Sequence, residues 1–98
     1  MKDFNIQFDE KFQKKQRHKA REIRNTQWWK RKCSQGLCYY CNNNFPIKEL
    51  TMDHIVPVSR GGKSIKSNVV PCCKKCNTKK KHLVPIEWQE YMKNQKNL

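Results

Sequence analysis

Two Cys-x-x-Cys pairs bracket the middle of this 98-residue chain: Cys38-Tyr39-Tyr40-Cys41 and Cys73-Lys74-Lys75-Cys76. A two-residue gap lets both sulfurs of a tight turn point at one ion, and two such turns complete a tetrahedral site. Four thiolates suit zinc and leave no open coordination position, so the spacing predicts a structural zinc site formed by all four cysteines. A redox role for the pairs is the less favoured interpretation. The roles of Cys33 and Cys72 stay open, with a packed thiol favoured for Cys72.

The size and composition of the chain agree with a stapled single domain. Only 36% of the residues are hydrophobic and 31% are charged. A chain this short buries a limited fraction of its surface and often depends on a metal or on disulfides for stability. The first residues lack the apolar core of a signal peptide, so we expect a cytoplasmic protein with reduced thiols, which favours metal over disulfides.

The charge balance predicts a polyanionic partner. The chain has 22 Lys and Arg against 8 Asp and Glu, a formal net charge of +14. Such a field concentrates nucleic acid at the surface. No apolar run approaches the roughly 20 residues that a bilayer requires, which argues against a membrane protein.

Local patterns predict five elements around the cysteines. A stretch without Gly or Pro predicts a helix from Asp9 to about Lys32, rich in basic residues. β-branched residues predict one strand from Glu49 to Val58 and a short second strand at Asn68–Val70. Helices are expected at Cys73–His82 and at about Ile86–Lys93. We divide the single domain into a basic N-terminal extension (1–35), a core (36–83) and a C-terminal helix and tail (84–98).

The segment between the cysteine pairs carries further motifs. In order, these are Asp53-His54, Gly61-Gly62, Asn68 and, after the second pair has closed, Asn77. This order and spacing resemble the HNH endonuclease family, over Cys38 to about His82. The resemblance implies an α+β fold of the ββα-metal type, in which two strands are followed by a helix that crosses them.

The resemblance also implies roles for individual residues. His54 takes the place of the general base, and Asp53 that of a catalytic metal ligand. Asn68 corresponds to the residue that holds the histidine and its loop, and Asn77 to the last letter of the family name. Carboxylate and amide oxygens suit Mg²⁺ or Mn²⁺, so Asp53 and Asn77 are the expected ligands of the catalytic metal. The predicted activity is hydrolysis of DNA phosphodiester bonds that leaves 5′-phosphate ends.

Each of these residues also has an ordinary structural interpretation. Asp53 and His54 are compatible with a surface pair, Asn68 with a capped turn, and Asn77 with a structural residue of the cysteine turn. Their combined order favours the catalytic interpretation. The alternative function is a non-catalytic zinc module that binds DNA or RNA.

Basic residues beside the motifs are the expected contacts to phosphates, since lysine and arginine supply affinity without reading sequence. They are Arg60, Lys63, Lys66, Lys79, Lys80 and Lys81. The N-terminal basic helix is expected to turn Trp28 and Trp29 inward and its basic face to nucleic acid. We expect double-stranded DNA as the partner and a monomer or transient homodimer as the assembly. The role of His82 stays open between a metal or phosphate contact and an exposed surface position.

Overall fold

The computed structural model describes residues 9–96, which form a two-stranded antiparallel sheet with helices before and after it. In chain order the elements are α1 (Glu10–Arg24), α2 (Gln27–Ser34), β1 (Leu50–His54), β2 (Val69–Cys73), α3 (Lys74–Lys80) and α4 (Pro85–Lys96). The sheet and α3 follow one another as strand, strand and helix, and α3 contacts both strands. The predicted α+β class with a ββα core is therefore confirmed.

The N-terminal region is two helices, so the prediction of one continuous helix to Lys32 is wrong. Asp9 caps α1 by accepting a hydrogen bond from the backbone N–H of Phe12 at 2.8 Å. The break falls at Asn25 and Thr26 because the Thr26 side chain caps the second helix. Its Oγ1 accepts from the N–H of Trp29 at 3.2 Å. Threonine is among the preferred N-cap residues, and this signal was present in the sequence.

The two strands pair so that His54 lies opposite Val69 and Leu50 lies opposite Cys73. The first strand ends at His54, earlier than predicted, since Pro57 begins a 3-10 turn soon afterwards. The second strand runs on to Cys73, and all five of its residues are buried. Of the second cysteine pair, Cys73 is therefore the last residue of β2 and Cys76 lies in α3.

Two small clusters form the core. On one side, Trp29 and Cys33 of α2 pack against Val69 of β2. The other cluster consists of buried cysteines, against which Tyr40 and Phe45 pack. Trp88 of α4 lies edge-on to the Tyr40 ring, with 5.3 Å between the ring centroids. The expected inward packing of α2 is confirmed for Trp29. Over residues 9–96, no helix combines the length and hydropathy that a bilayer crossing requires.

Candidate metal centre and active site

The four cysteines of the two pairs come together in one cluster. Their sulfur atoms all lie within 4.8 Å of one another, and three of the four residues are buried. Between the two pairs, Cys41 Sγ lies 4.0 Å from Cys73 Sγ. Tetrahedral zinc with Zn–S bonds of about 2.3 Å needs sulfurs about 3.8 Å apart, so the cluster fits zinc with small adjustments.

Local backbone geometry aims the sulfurs inward. After Cys38 the chain turns back sharply, with Asn42 in the left-handed region at φ 60° and its N–H bonded to the Cys38 carbonyl at 2.9 Å. Cys73 is the N-cap of α3, and its Sγ accepts from the Cys76 N–H at 3.4 Å. The Tyr39 N–H donates to the Pro71 carbonyl at 2.9 Å and so ties the first turn to β2.

The electrostatics of the cluster call for a cation. Burial alone raises the pKa of the Cys38 thiol, but backbone N–H groups of Cys41, Cys73 and Tyr40 outweigh it and lower that pKa to about 7. Burial raises the pKa of Cys76. A bound Zn²⁺ would keep all four sulfurs as thiolates, because a coordinating thiol is deprotonated outright.

The two remaining cysteines lie outside this cluster of four. Cys72 is fully buried beside it, and its Sγ donates to the Cys73 carbonyl at 3.3 Å. Cys33 is packed with Trp29 and Val69 in the other core cluster. Burial raises the pKa of both thiols. Both are therefore packed thiols in this fold.

A second site opens where β1 ends. It is a cavity of about 220 Å³ lined by Gln13, Arg17, Met52, Asp53, His54, Pro57, Val58, Ser59, Lys81 and His82. Among the described residues, Asp53 is its one acidic side chain, whereas Arg17 and Lys81 are basic. The cavity thus combines a carboxylate, imidazoles and positive charge.

Asp53 is held by two donors on the face of the sheet that α3 covers. It is 7% exposed, and its Oδ2 accepts from the Tyr40 hydroxyl at 2.6 Å. The same oxygen lies 3.2 Å from Lys80 Nζ, and Lys80 is 1% exposed. Lys80 Nζ also donates to the His54 carbonyl at 3.0 Å. Burial and the Asp53 carboxylate raise the pKa of Tyr40, so its hydroxyl stays a donor.

His54 points its ring toward the loop between the strands. Its Nε2 lies 2.8 Å from Ser64 Oγ. Burial lowers the pKa of the imidazole below its usual 6.5, partly opposed by Asp53 and reinforced by Arg24 and Lys80. The ring is therefore neutral at neutral pH and can accept a proton.

The loop that follows His54 is fixed by Asn68 and Gly62. Asn68 Oδ1 accepts from the Val56 N–H at 2.9 Å, while its Nδ2 donates to the carbonyls of Val56 and Lys63 at 3.1 and 2.9 Å. A Cβ on Gly62 would lie 1.7 Å from the Val56 carbonyl oxygen, so only glycine fits. The glycine is therefore required by this close contact with the backbone of the same loop.

A family model described as HNH endonuclease matches residues 38–91, which is more than half of the chain. The chain belongs to the HNH endonuclease family. No curated protein matches it. The matched segment contains both strands, α3 and the start of α4, and leaves α1 and α2 outside the HNH region.

The last predicted residue of the HNH motif lies apart from the cavity. Asn77 is on α3, and its Nδ2 donates to Thr51 Oγ1 at 3.2 Å. It is not among the residues that line the cavity with Asp53 and His54. Its amide oxygen accepts no hydrogen bond from the described residues. Metal binding by Asn77 stays a prediction.

The residues expected to contact phosphates have different surroundings in the HNH structure. Lys63, Lys79 and Lys81 are exposed. Arg60 forms a two-pronged ion pair with Glu87 at 3.1 and 3.4 Å, and this contact lowers the pKa of Glu87. Two further lysines are engaged elsewhere: Lys66 lies over the Trp28 ring, and Lys80 is buried against Asp53.

Sequence reasoning missed the partners that support the two motif residues. Tyr40 and Lys80 hold Asp53, and Ser64 contacts His54. Tyr40 lies between the paired cysteines, where only its burial distinguishes it from Tyr39. Lys80 is hidden within a run of three lysines. His82 lines the cavity, with its Nδ1 3.0 Å from Ser59 Oγ. Tyr40, Lys80 and Ser64 carry no local sequence signal for these contacts, whereas a metal or phosphate contact was one of the two interpretations open for His82.

Proposed function

We propose that this chain is a metal-dependent endonuclease that hydrolyses phosphodiester bonds in double-stranded DNA. The observation that carries the proposal is that Asp53 and His54 line one cavity together with Arg17 and Lys81. A carboxylate and a neutral imidazole beside positive charge are the groups that phosphodiester hydrolysis requires.

The donor set of the cavity is compatible with Mg²⁺ or Mn²⁺. Mg²⁺ keeps several waters and is usually bound through one or two carboxylates together with substrate phosphates. Asp53 supplies such a carboxylate, and only its Oδ2 is taken by Tyr40 and Lys80. Asn77 is the second ligand expected from the family pattern, and it would have to approach from α3, since it does not line the cavity. When bound, the ion would stabilise negative charge on the scissile phosphate and the leaving oxygen.

The chain itself would supply the general base and the groups that position it and the metal ligand. His54 acts as the general base and takes a proton from the attacking water, since its lowered pKa keeps it neutral at neutral pH. Asn68 keeps the loop after His54 in place through its three hydrogen bonds to backbone groups of Val56 and Lys63. Tyr40 and Lys80 orient the Asp53 carboxylate through their contacts with its Oδ2.

Affinity for DNA would come from exposed basic side chains. Arg17 and Lys81 line the cavity, and Lys63, Lys79 and the other basic residues of α1 would add to them from the surrounding surface. Contacts of this type release counterions, so binding should weaken steeply as salt rises. Arg60 and Lys66 would have to leave Glu87 and Trp28 to join them.

One observation favours the alternative of a non-catalytic zinc module that binds nucleic acid. The buried ammonium of Lys80 already balances the Asp53 carboxylate. A cation at Asp53 would therefore gain less than it would beside an unpaired carboxylate.

A plasmid assay separates the two functions. Zinc-loaded protein is incubated with supercoiled plasmid and Mg²⁺, Mn²⁺ or neither ion, and parallel samples are run as gel shifts. The nuclease proposal predicts nicked or linear plasmid only with Mg²⁺ or Mn²⁺. Intact plasmid under every condition, together with a clear gel shift, would establish the non-catalytic module instead.

A further inference from the structure

A chain of buried hydrogen bonds links the first helix to His54. Ser64 Oγ lies 2.8 Å from His54 Nε2 and 2.5 Å from the carbonyl oxygen of Gln16. The Ser64 N–H in turn donates to Gln16 Oε1 at 2.7 Å. Gln16 and Ser64 are each 4% exposed, although Gln16 belongs to α1, which lies outside the matched HNH segment.

The hydrogens in this chain can be assigned from the donor and acceptor rules. A carbonyl oxygen only accepts, so the single hydroxyl hydrogen of Ser64 is donated to Gln16. The Ser64 oxygen is then left as an acceptor, and the His54 Nε2 that faces it must carry a hydrogen. In a neutral imidazole the other nitrogen, Nδ1, is unprotonated and is the proton acceptor.

We propose that Gln16 and Ser64 are positioning residues that hold His54 as the Nε2–H tautomer, so that α1 is part of the active site. The inference rests on the proposed function, since Nδ1 of His54 is then the atom that takes the proton from water. Ser64 acts on the imidazole directly. Gln16 acts through Ser64, by fixing both its hydroxyl and its backbone N–H.

The surroundings of α1 support its place in the site. Gln13 and Arg17, which flank Gln16, line the same cavity as Asp53 and His54. Docking α1 through Gln16 thus sets both the histidine tautomer and one wall of the cavity. The 3-10 turn at Val58–Arg60 also contacts α1, close to the same cavity.

Nitrogen-15 NMR of the histidine rings tests the tautomer without any cleavage reaction. In the zinc-loaded protein without added Mg²⁺, we expect His54 to show a protonated Nε2 and an unprotonated Nδ1. Ser64→Ala should shift both nitrogens toward averaged values, whereas Ser64→Thr keeps a hydroxyl and should restore the pattern. Ser67→Ala, on an exposed side chain of the same loop, should leave the spectrum unchanged.

The helix contact is tested by a second pair of substitutions. Gln16→Glu keeps an oxygen that accepts from the Ser64 N–H, and Gln16→Ala removes it. We expect Gln16→Ala and Ser64→Ala to lower kcat about ten- to a hundredfold with little change in KM, because a misplaced catalytic group costs rate rather than binding. Gln16→Glu should retain most of the rate.

The outcomes separate this inference from the nuclease proposal. An Nδ1–H tautomer in wild type, or an unchanged His54 spectrum in Ser64→Ala, would overturn the inference whatever the activity. The expected tautomer and its loss in Ser64→Ala, in a protein that never nicks DNA, would support the positioning contact and defeat the nuclease proposal. A rate that is unchanged in Gln16→Ala would overturn the positioning role of the Gln16 side chain, because that variant keeps the backbone carbonyl that accepts from Ser64 Oγ.

Discussion

The cysteine cluster and the cavity at the end of β1 are built in opposite ways. The cluster uses four identical ligands from two short turns, three of them buried, and has no catalytic group among them. The cavity draws side chains from α1, β1, the following loop and the segment after α3, and it is open to solvent on a basic surface. One region brings four thiols together where an ion could bind, and the other is an open cavity.

The difference shows how a small chain can combine stability with an open site. The cluster fixes β2 to α3 through Cys73, which is the last residue of the strand and the cap of the helix. A zinc ion bound there would contribute to folding outright, which would offset the cost of holding charged groups such as Lys80 and Asp53 in the interior. The following predictions separate the two regions, beginning with the largest effect.

Removing a cysteine ligand should abolish the fold. The apparent binding free energy of a structural zinc ion is about 10–16 kcal/mol. This is as large as the whole unfolding free energy of a typical domain, roughly 5–15 kcal/mol. Cys76→Ser should therefore lose zinc and its cooperative thermal transition, as measured by elemental analysis and circular dichroism. Cys33→Ser, outside the cluster, should keep one zinc per chain. A Cys76→Ser protein that holds zinc and melts like wild type would contradict the structural role.

Removing the buried ammonium of Lys80 should lower the free energy of unfolding without changing the zinc content. Lys80→Met leaves the Asp53 carboxylate buried without its cation, which costs about 3–5 kcal/mol in comparable pairs. Urea unfolding measures the loss. The neighbouring Lys79 is exposed, so Lys79→Met should change stability by no more than about 0.5 kcal/mol. Equal effects of the two substitutions would show that Lys80 is not paired with Asp53 in solution.

Loosening the loop after His54 should have a smaller effect. Asn68→Ala removes hydrogen bonds to both backbone groups of Val56, at a cost of about 1–3 kcal/mol. Asn94→Ala, on the exposed face of α4, is the matched control and should stay within about 0.5 kcal/mol of wild type. If both variants unfold at the same urea concentration, the loop is not held by Asn68.

The smallest expected effect is on the pH dependence of cleavage and of stability, through the lowered pKa of His54. Burial places the pKa of His54 below 6.5, so the neutral base should persist at pH 6.5 and cleavage should fall only at lower pH. The unfolded chain binds this proton more readily, so stability is complete above pH 6.5 and declines as pH falls through the folded pKa. A profile of kcat/KM against pH measures the first effect. An acidic limb centred above pH 6.5 would contradict the burial of the imidazole.

The sequence predicts the two regions unequally, for a physical reason. Zinc ligands must lie on tight turns, so the spacing of Cys38 with Cys41 and of Cys73 with Cys76 predicts the cluster. The ββα order is also predictable from the resemblance and from β-branched runs. The break at Thr26 was readable as a cap but was missed because the flanking residues all favour helix.

The support of the cavity depends on tertiary contacts that no local pattern reports. Gln16 and Ser64 are 48 positions apart in the chain, and they meet only because α1 docks on the loop between the strands. Lys80 lies on the side of α3 that faces Asp53, whereas Lys79 on the same helix and Lys81 just after it are exposed. Sequence motifs therefore named Asp53 and His54, whereas the groups that orient them required the fold.

The most direct test of the two-region account measures zinc content and plasmid nicking in one preparation of His54→Ala. We predict one zinc per chain, a wild-type circular dichroism spectrum, and nicking in Mg²⁺ reduced by about 10²–10⁴. His18→Ala, on the exposed face of α1, should nick at the wild-type rate. A zinc-loaded His54→Ala protein that nicks as fast as wild type would contradict the assignment of the cavity as the cutting site.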